Sequence, residues 1–273
     1  MLLGFLSADR PALVADLSRT NLHRWHASLT HIDRRTAAAY LAEASTVWRW
    51  AFESDEWGET VPRPRAVDPG PVPAPRRIVG PTLAQVDAAI AEALTRRASW
   101  YGRLMLVMRY TGLRAGQVRR LEWADVDLDA GRLVVRGELG KSRGEQRGRV
   151  VPLHPSLVVD LAGWGRREGP LVAGQSTETH RRVMASIWRA TGTVPRQPLH
   201  GIRHAVATHL RSEGVADDVI GALLGHTGSV TREHYIDPAA LWSLMVEAVA
   251  KIPPVGVRGV SASIDDARKA ARE

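Results

Sequence analysis

Residues 61–80 read VPRPRAVDPGPVPAPRRIVG and hold six of the chain's 16 prolines. Each proline fixes its own φ, lacks an amide N–H and pushes the preceding residue out of the helical region. Such a stretch can neither continue a helix nor enter the interior of a sheet, so it runs extended and divides the 273-residue chain into a short part and a long one. It also carries Arg63, Arg65, Arg76 and Arg77 against one acid, Asp68. Before it, PALVADLSRTNLHRWHASL (11–29) and DRRTAAAYLAEASTVWRWAFESDEW (33–57) repeat apolar residues at intervals of three and four, with Asp33 placed as an N-cap. The aromatics Trp48, Trp50 and Phe52 are expected in the core of this part. The reading is a helical domain over 1–60 and a Pro/Arg-rich linker over 61–80.

The long part is mixed. TLAQVDAAIAEALTRRA (82–98) predicts a helix capped by Thr82, and SWYGRLMLVMRYTG (99–112) a central helix ending at Gly112. GRLVVRG (131–137) and RGRVVPL (147–153) read as paired strands joined by a Gly- and charge-rich loop. Helices are then expected over 155–167, 177–191, 199–213, 217–224, 231–235 and 238–251, followed by a polar, mobile tail over 252–273. The whole is mainly α with a small antiparallel β-sheet, and residues 81–251 form the larger domain. No internal repeat is visible.

Charge narrows the range of partners. Lys and Arg number 37 against 29 Asp and Glu, a formal +8 with a pI near 10.6, and such a surface attracts polyanions at long range. Arginine dominates, which suits bidentate contacts to phosphate. The chain has no cysteine, so disulfides and thiolate metal sites are excluded and a reducing, cytoplasmic setting is expected. The opening MLLGFLSADRP has too short an apolar run for a signal peptide or a membrane span, so no membrane partner is expected.

Four polar clusters interrupt the ordinary packing pattern. They are YTGLRAGQVRRLEW (110–123), ELGKSRGEQRG (138–148), LHGIRHAVATHL (199–210), and LLGHTGSVTREHYID (223–237), which contains His226 and Tyr235. A phosphate-binding P-loop at LGKS is rejected, because position 135 is Val where that motif needs Gly and the stretch joins two strands. His200 and His204 have the spacing of a zinc helix, but Gly201 stands where metalloprotease chemistry needs Glu and no third ligand is evident, so no metal or other cofactor is expected. DVIGALLGHTGSVTREHY also reads as a helix-turn-helix, which keeps a non-catalytic DNA-binding protein in play. As parts of one reaction, the clusters offer a tyrosine nucleophile, two arginines able to grip a phosphate, two histidines and a lysine. Arg203 follows His200 by three residues, which on a helix turns both toward the same side.

These residues carry a resemblance to the tyrosine recombinases of the phage integrase family, Xer-like recombinases among them. TGLR with Arg114, HGIRH with His200 and Arg203, and LGH with His226 followed nine residues later by Tyr235 match its boxes; GKSRGEQRGRVVPL is similar to its β-hairpin, with Lys141 at the lysine position. The match is close over 80–250, while 1–60 is looser against the family's DNA-clamping core-binding domain and looks short at its N-terminus. The resemblance implies a catalytic domain of tyrosine recombinase type that breaks and rejoins DNA without metal or ATP. Tyr235 would attack the scissile phosphate to give a 3′-phosphotyrosyl link and a free 5′-hydroxyl. Arg114, Arg203 and His226 would hold the non-bridging oxygens, Lys141 would protonate the leaving oxygen, and His200 would assist proton transfer at Tyr235. Arg76, Arg77, Arg143 and Arg147 are the further DNA-binding candidates. Double-stranded DNA is the implied partner, with a homo-oligomer, a tetramer on paired sites, built through helix 238–251; packing of that helix on its own domain is the alternative. Gln117 stands where the family usually has an acid, three residues after the first arginine. A type IB-like topoisomerase is the rival with the same chemistry.

Overall fold

The computed structural model describes residues 2, 16–74, 79–96, 99–137, 148–165, 167–172, 177–225 and 238–255, with the side chains of 177–181 and 238–239 outside the description. The chain forms two compact units, Met1–Arg77 and Ile78–Glu273, each with its own apolar core.

In the first unit, α1 (Arg19–Ser28) starts at Ser18, whose hydroxyl accepts the Asn21 N–H, and α2 (Arg34–Phe52) starts at Asp33, whose carboxylate accepts the Arg35 N–H at 3.0 Å. Helix α2 buries Ala37, Leu41, Ala44, Trp48 and Ala51, a 3.6-residue stripe that packs on Leu22 and Trp25 of α1. The expectation that Trp50 joins this core is wrong: Trp50 is 58% exposed and meets Trp57 edge to face. Two residues along a helix is a rotation of about 200°, so Trp48 and Trp50 cannot share a face. The proline-rich stretch forms neither helix nor strand over 61–74, turns at Gly70 (φ +69), and is tied to the first unit. Val61 is buried in the first core, the Trp48 indole N–H donates to Pro62 O at 2.7 Å, and Arg35 Nη2 donates to Pro73 O at 2.7 Å.

The second unit is built around α4 (Trp100–Thr111), buried almost throughout from Tyr101 to Thr111. It packs against α3 (Leu83–Thr95), which begins with a Thr82/Gln85 capping box. After α4 come the one-turn α5 (Ala115–Val118), a 3₁₀ turn at Trp123–Asp125 and three strands, β1 (Val126–Asp127), β2 (Arg132–Val135) and β3 (Arg149–Pro152). The sheet is antiparallel in the order β1-β2-β3, with Leu133 opposite Val151 and Val135 opposite Arg149. Strand β1 and helix α5 are absent from the sequence-based expectation, both being too short to show a period. Helices α6 (Pro155–Ala162), α7 (Thr177–Ala190), α8 (Pro198–Ser212), α9 (Asp217–Leu224) and α10 (Pro238–Ala250) follow. The helix expected over 231–235 lies outside the described residues.

Helix α10 packs in cis on α9 and β3, burying Met245, Ala248 and Val249, while Leu244 and Val246 are each 43% exposed. The segment after it is not a loose tail at its start. Ile252 and Val255 are buried, the Val255 N–H donates to the Tyr110 hydroxyl at 2.9 Å, and Arg109 donates to Pro253 O. Among the described residues no helix is long and apolar enough to cross a membrane.

Asp160 on α6 is 8% exposed, and burial pushes its carboxyl up to about 7. Its ionised form is therefore disfavoured in the fold: the folded state takes up a proton as pH falls through 7, the unfolded state only near the ordinary carboxylate range. His154 opposes this, because burial and the Arg109 charge hold its imidazole down to about 4, so the folded state resists a proton that the unfolded state accepts near 6.5. Asp160→Asn is expected to stabilise the chain at pH 8 by an amount on the order of 4 kcal/mol, given about 1.4 kcal/mol per pKa unit. The variant should lose that gain toward pH 4, which urea titrations at several pH values check.

Candidate active site

The site begins where α4 stops. Gly112 takes φ +63, a conformation that favours glycine, and ends the helix where α9 approaches, so that an added Cβ would meet the Leu224 side chain. Arg114 follows at the N-cap position of α5, half-buried, with its backbone N–H donating to Gln117 Oε1 at 3.1 Å. Gln117 is 4% exposed. In place of an acid, this residue thus supplies a neutral acceptor that fixes the Arg114 backbone but brings no negative charge to it.

Helix α8 supplies the next two groups. Pro198 opens it, Gly201 lets it lie against Pro81, whose Cδ would be 2.9 Å from an added Cβ, and Arg203 points inward at 3% exposure. Arg203 Nη1 donates to Gly112 O at 2.9 Å and to Leu224 O at 2.7 Å, so one guanidinium joins the C-terminal ends of α4 and α9. Those carbonyls are the negative ends of two helix dipoles, a favourable place for a cation. His200, one turn earlier, is exposed. Partial desolvation, then the charges of Arg203, His204 and Arg114, shift its imidazole downward from its ordinary value. The shift favours its neutral form, which can accept a proton. The His200 and His204 rings are 6.4 Å apart, and among the described residues no three His, Cys, Asp or Glu gather as a metal site.

A residue that the sequence reading did not select completes the cluster. Arg149 starts β3 on the same side as the buried Val151, and its Nη2 also donates to Leu224 O, at 3.2 Å. Gly225, at φ +69, sits directly under this guanidinium: an added Cβ would be 2.4 Å from Arg149 Cζ. Burial, followed by the Arg114 charge, draws Arg149 down to about 10; burial, then Arg114 and Arg149, draw Arg203 down to about 9. Both remain charged at neutral pH. Among the described residues no carboxylate pairs with Arg114, Arg149 or Arg203, whereas the fully buried Arg109 is paired with Asp87 at 2.8 Å. The available signal was the strand period: alternation through Arg149, Val151 and Leu153 sets an arginine on the buried face.

The structure thus brings Arg114, His200 and Arg203 into mutual electrostatic range. Lys141, His226 and Tyr235 lie outside the described residues, as do Arg76, Arg77, Arg143 and Arg147. Chemically, the described part gathers three positive charges that are partly withdrawn from water, an arrangement able to bind an anion with several oxygens.

Fold and site together define a mainly helical protein in which cationic residues distant in the chain come close together. Residues 82–241 match the sequence profile of the phage integrase family, and the chain belongs to that family. It is 27% identical over 144 residues to the tyrosine recombinase XerA of Pyrococcus furiosus, an overlap of 49% of each chain, so it spans about half the length of that curated relative. With the tyrosine recombinase XerC of Xanthomonas campestris it shares 26% identity over 260 residues, 86% of this chain and 74% of the relative. The fold is similar to that of lambda integrase, solved as a tetramer bound to a Holliday junction, with a TM-score of 0.56 at 18% identity over 83% of this chain and 69% of the other.

Proposed function

We propose that the chain is a site-specific DNA recombinase that cleaves and rejoins strands through a 3′-phosphotyrosyl intermediate. One observation carries the reading: Arg114 and the buried Arg203 are held in electrostatic range of each other, beside His200, and among the described residues no carboxylate pairs with either. A phosphodiester supplies the missing negative charge. Tyr235 Oη attacks phosphorus, the bond to the 5′-oxygen breaks, and Lys141 gives that oxygen its proton while His200 takes the phenol's. Arg114, Arg203 and His226 bind the non-bridging oxygens, whose charge grows in the transition state. The phosphotyrosine keeps the bond energy, so the 5′-hydroxyl of another strand can reverse the step without ATP or metal. On this reading the first unit, with its basic proline-rich stretch, clamps duplex DNA. Arg76, Arg77, Arg143 and Arg147 add phosphate contacts, and several copies assemble on paired sites through α10, in the cytoplasm and on the nucleoid. The assembly surface would be the side of α10 that is not used in cis.

The test is to incubate the chain with fragmented genomic and mobile-element DNA, denature it, and sequence whatever stays covalently attached. A recombinase traps one recurrent sequence. A type IB-like topoisomerase instead relaxes supercoiled plasmid with no such preference, and a protein that only binds DNA leaves no covalent product.

A further inference from the structure

The reaction proposed above uses Arg114 and Arg203; it gives no part to Arg149, the third guanidinium in the cluster. Its placement is unusual for a strand residue. Arg203 and Arg149 share one acceptor, Leu224 O, at 2.7 and 3.2 Å, which forces two like charges side by side. Like charges at that spacing repel, and partial burial strengthens the repulsion. An ion pair would relieve this, but none is formed among the described residues, although Arg109, Arg136 and Arg211 of the same unit all find carboxylates. Furthermore, Arg203 Nη2 and Arg149 Nε are buried without a hydrogen-bond partner among the described residues. Buried donors left unmade are costly, so the arrangement is complete only with an acceptor present.

Resting on the proposed function, we propose that Arg149 is a positioning residue of the phosphate site: its charge tunes the cradle to a phosphodiester, and its guanidinium fixes the Leu224–Gly225 turn from which the chain runs on to His226. The turn is held from two sides. Arg203 grips its carbonyl from α8, and Arg149 grips the same carbonyl from β3 with its guanidinium in the space that a Cβ on Gly225 would fill. An anion bound by the cradle neutralises both cations and tightens the grip, so phosphate binding and the geometry of this turn are coupled. Any side chain at Gly225 would displace the Arg149 guanidinium, since its Cβ enters the space that Arg149 occupies.

The coupling predicts a sign that an ordinary structural arginine would not give. Removing the Arg149 charge relieves repulsion in the anion-free protein, and Leu224 O keeps its shorter bond from Arg203. R149M is therefore expected to be as stable as the wild type, or more stable, in chloride buffer. The rise in Tm produced by inorganic phosphate at matched ionic strength should shrink several-fold in R149M. R149K, which keeps the charge, should retain most of it. On a nicked suicide duplex, single-turnover adduct formation by R149M should fall by about a hundredfold, the cost of misplacing a reacting group by about 1 Å, with DNA affinity changed only a few-fold.

A wild type that ignores phosphate, or an R149M that responds to it fully, overturns the proposal. So does an R149M that is simply less stable with its phosphate response intact, because that is the signature of a packing role. The two readings fail separately. Loss of the phosphate response in R149M, with no adduct on any DNA even for wild type, would leave the Arg149 assignment standing and remove the recombinase. Adduct formation and phosphate response both untouched by R149M would do the reverse.

Discussion

Tyr235→Phe is expected to bind duplex DNA as the wild type does and to leave no covalent protein–DNA product. The comparison is best made on a duplex nicked close to the cleavage site. There the freed 5′-hydroxyl departs on a short fragment, religation is prevented, and adduct accumulates as a band that survives denaturation. Phenylalanine keeps the ring and removes only the oxygen that forms the bond to phosphorus, so a change in binding and a loss of chemistry are separated. The loss should be complete because the other three tyrosines cannot substitute. Tyr101 and Tyr110 are 3% and 1% exposed, and burial raises both phenols further from ionisation. The Tyr110 oxygen is also occupied by the Val255 N–H, and Tyr40 lies in the first unit, on α2. A phenol with an ordinary pKa near 10 is mostly neutral at pH 7, so the nucleophile depends on a neighbouring base and on cations that favour phenolate. Adduct formed by the Phe variant would move the nucleophile elsewhere and end the present assignment.

The second large effect is expected at Arg203. Arg203→Met removes a phosphate donor and, with it, the bond that closes two helix ends. Gly112 O has no second donor among the described residues, while Leu224 O keeps the longer bond from Arg149. One buried carbonyl left unsatisfied costs about 1–3 kcal/mol, partly offset by relief of the repulsion with Arg149 and Arg114. We expect a net destabilisation of about 1–2 kcal/mol by urea unfolding and a fall in cleavage of about 10²–10³-fold, the usual consequence of deleting a donor aimed at developing negative charge. Arg203→Lys keeps one charge but cannot reach both carbonyls and a phosphate with one ammonium, so it should recover stability better than cleavage. Arg203 and Arg149 thus carry opposite expected signs in the absence of an anion, although they touch the same carbonyl. Equal destabilisation at both positions would show that repulsion is not what governs this cluster.

Much of the architecture was legible because its causes are local. Asp33 and Thr82 announce two helix starts through the hydrogen bonds that they offer their own backbones, and Gly112 announces a stop because only glycine enters φ +63 without strain. The paired strands were visible from their β-branched runs on either side of a charged loop. Where a feature depends on rotation or on a distant partner, the sequence misled or was silent. Trp50 was placed in the core by type when its angular position turns it outward. The proline-rich stretch reads as free linker, yet Val61, Pro62 and Pro73 are tied to the first unit. The segment after α10 reads as a tail, yet Val255 is buried beneath Tyr110. Periodicity also could not decide how α10 is covered, and the fold covers its Met245 face in cis.

By itself the order of residues determined the membership and the fold class, and it nominated the candidate reactive side chains, because box spacing and apolar period are properties of one dimension. It could not determine which charges meet. Arg114, Arg149 and Arg203 are separated by tens of residues, and only the joining of α4, β3, α8 and α9 at Gly112 and Leu224 brings Arg149 and Arg203 onto one carbonyl and Arg114 into electrostatic range of both. Electrostatic energy depends on distance and on exclusion of water, and neither exists until the chain has packed. That is why Arg149 is unremarkable in the sequence and central in the structure.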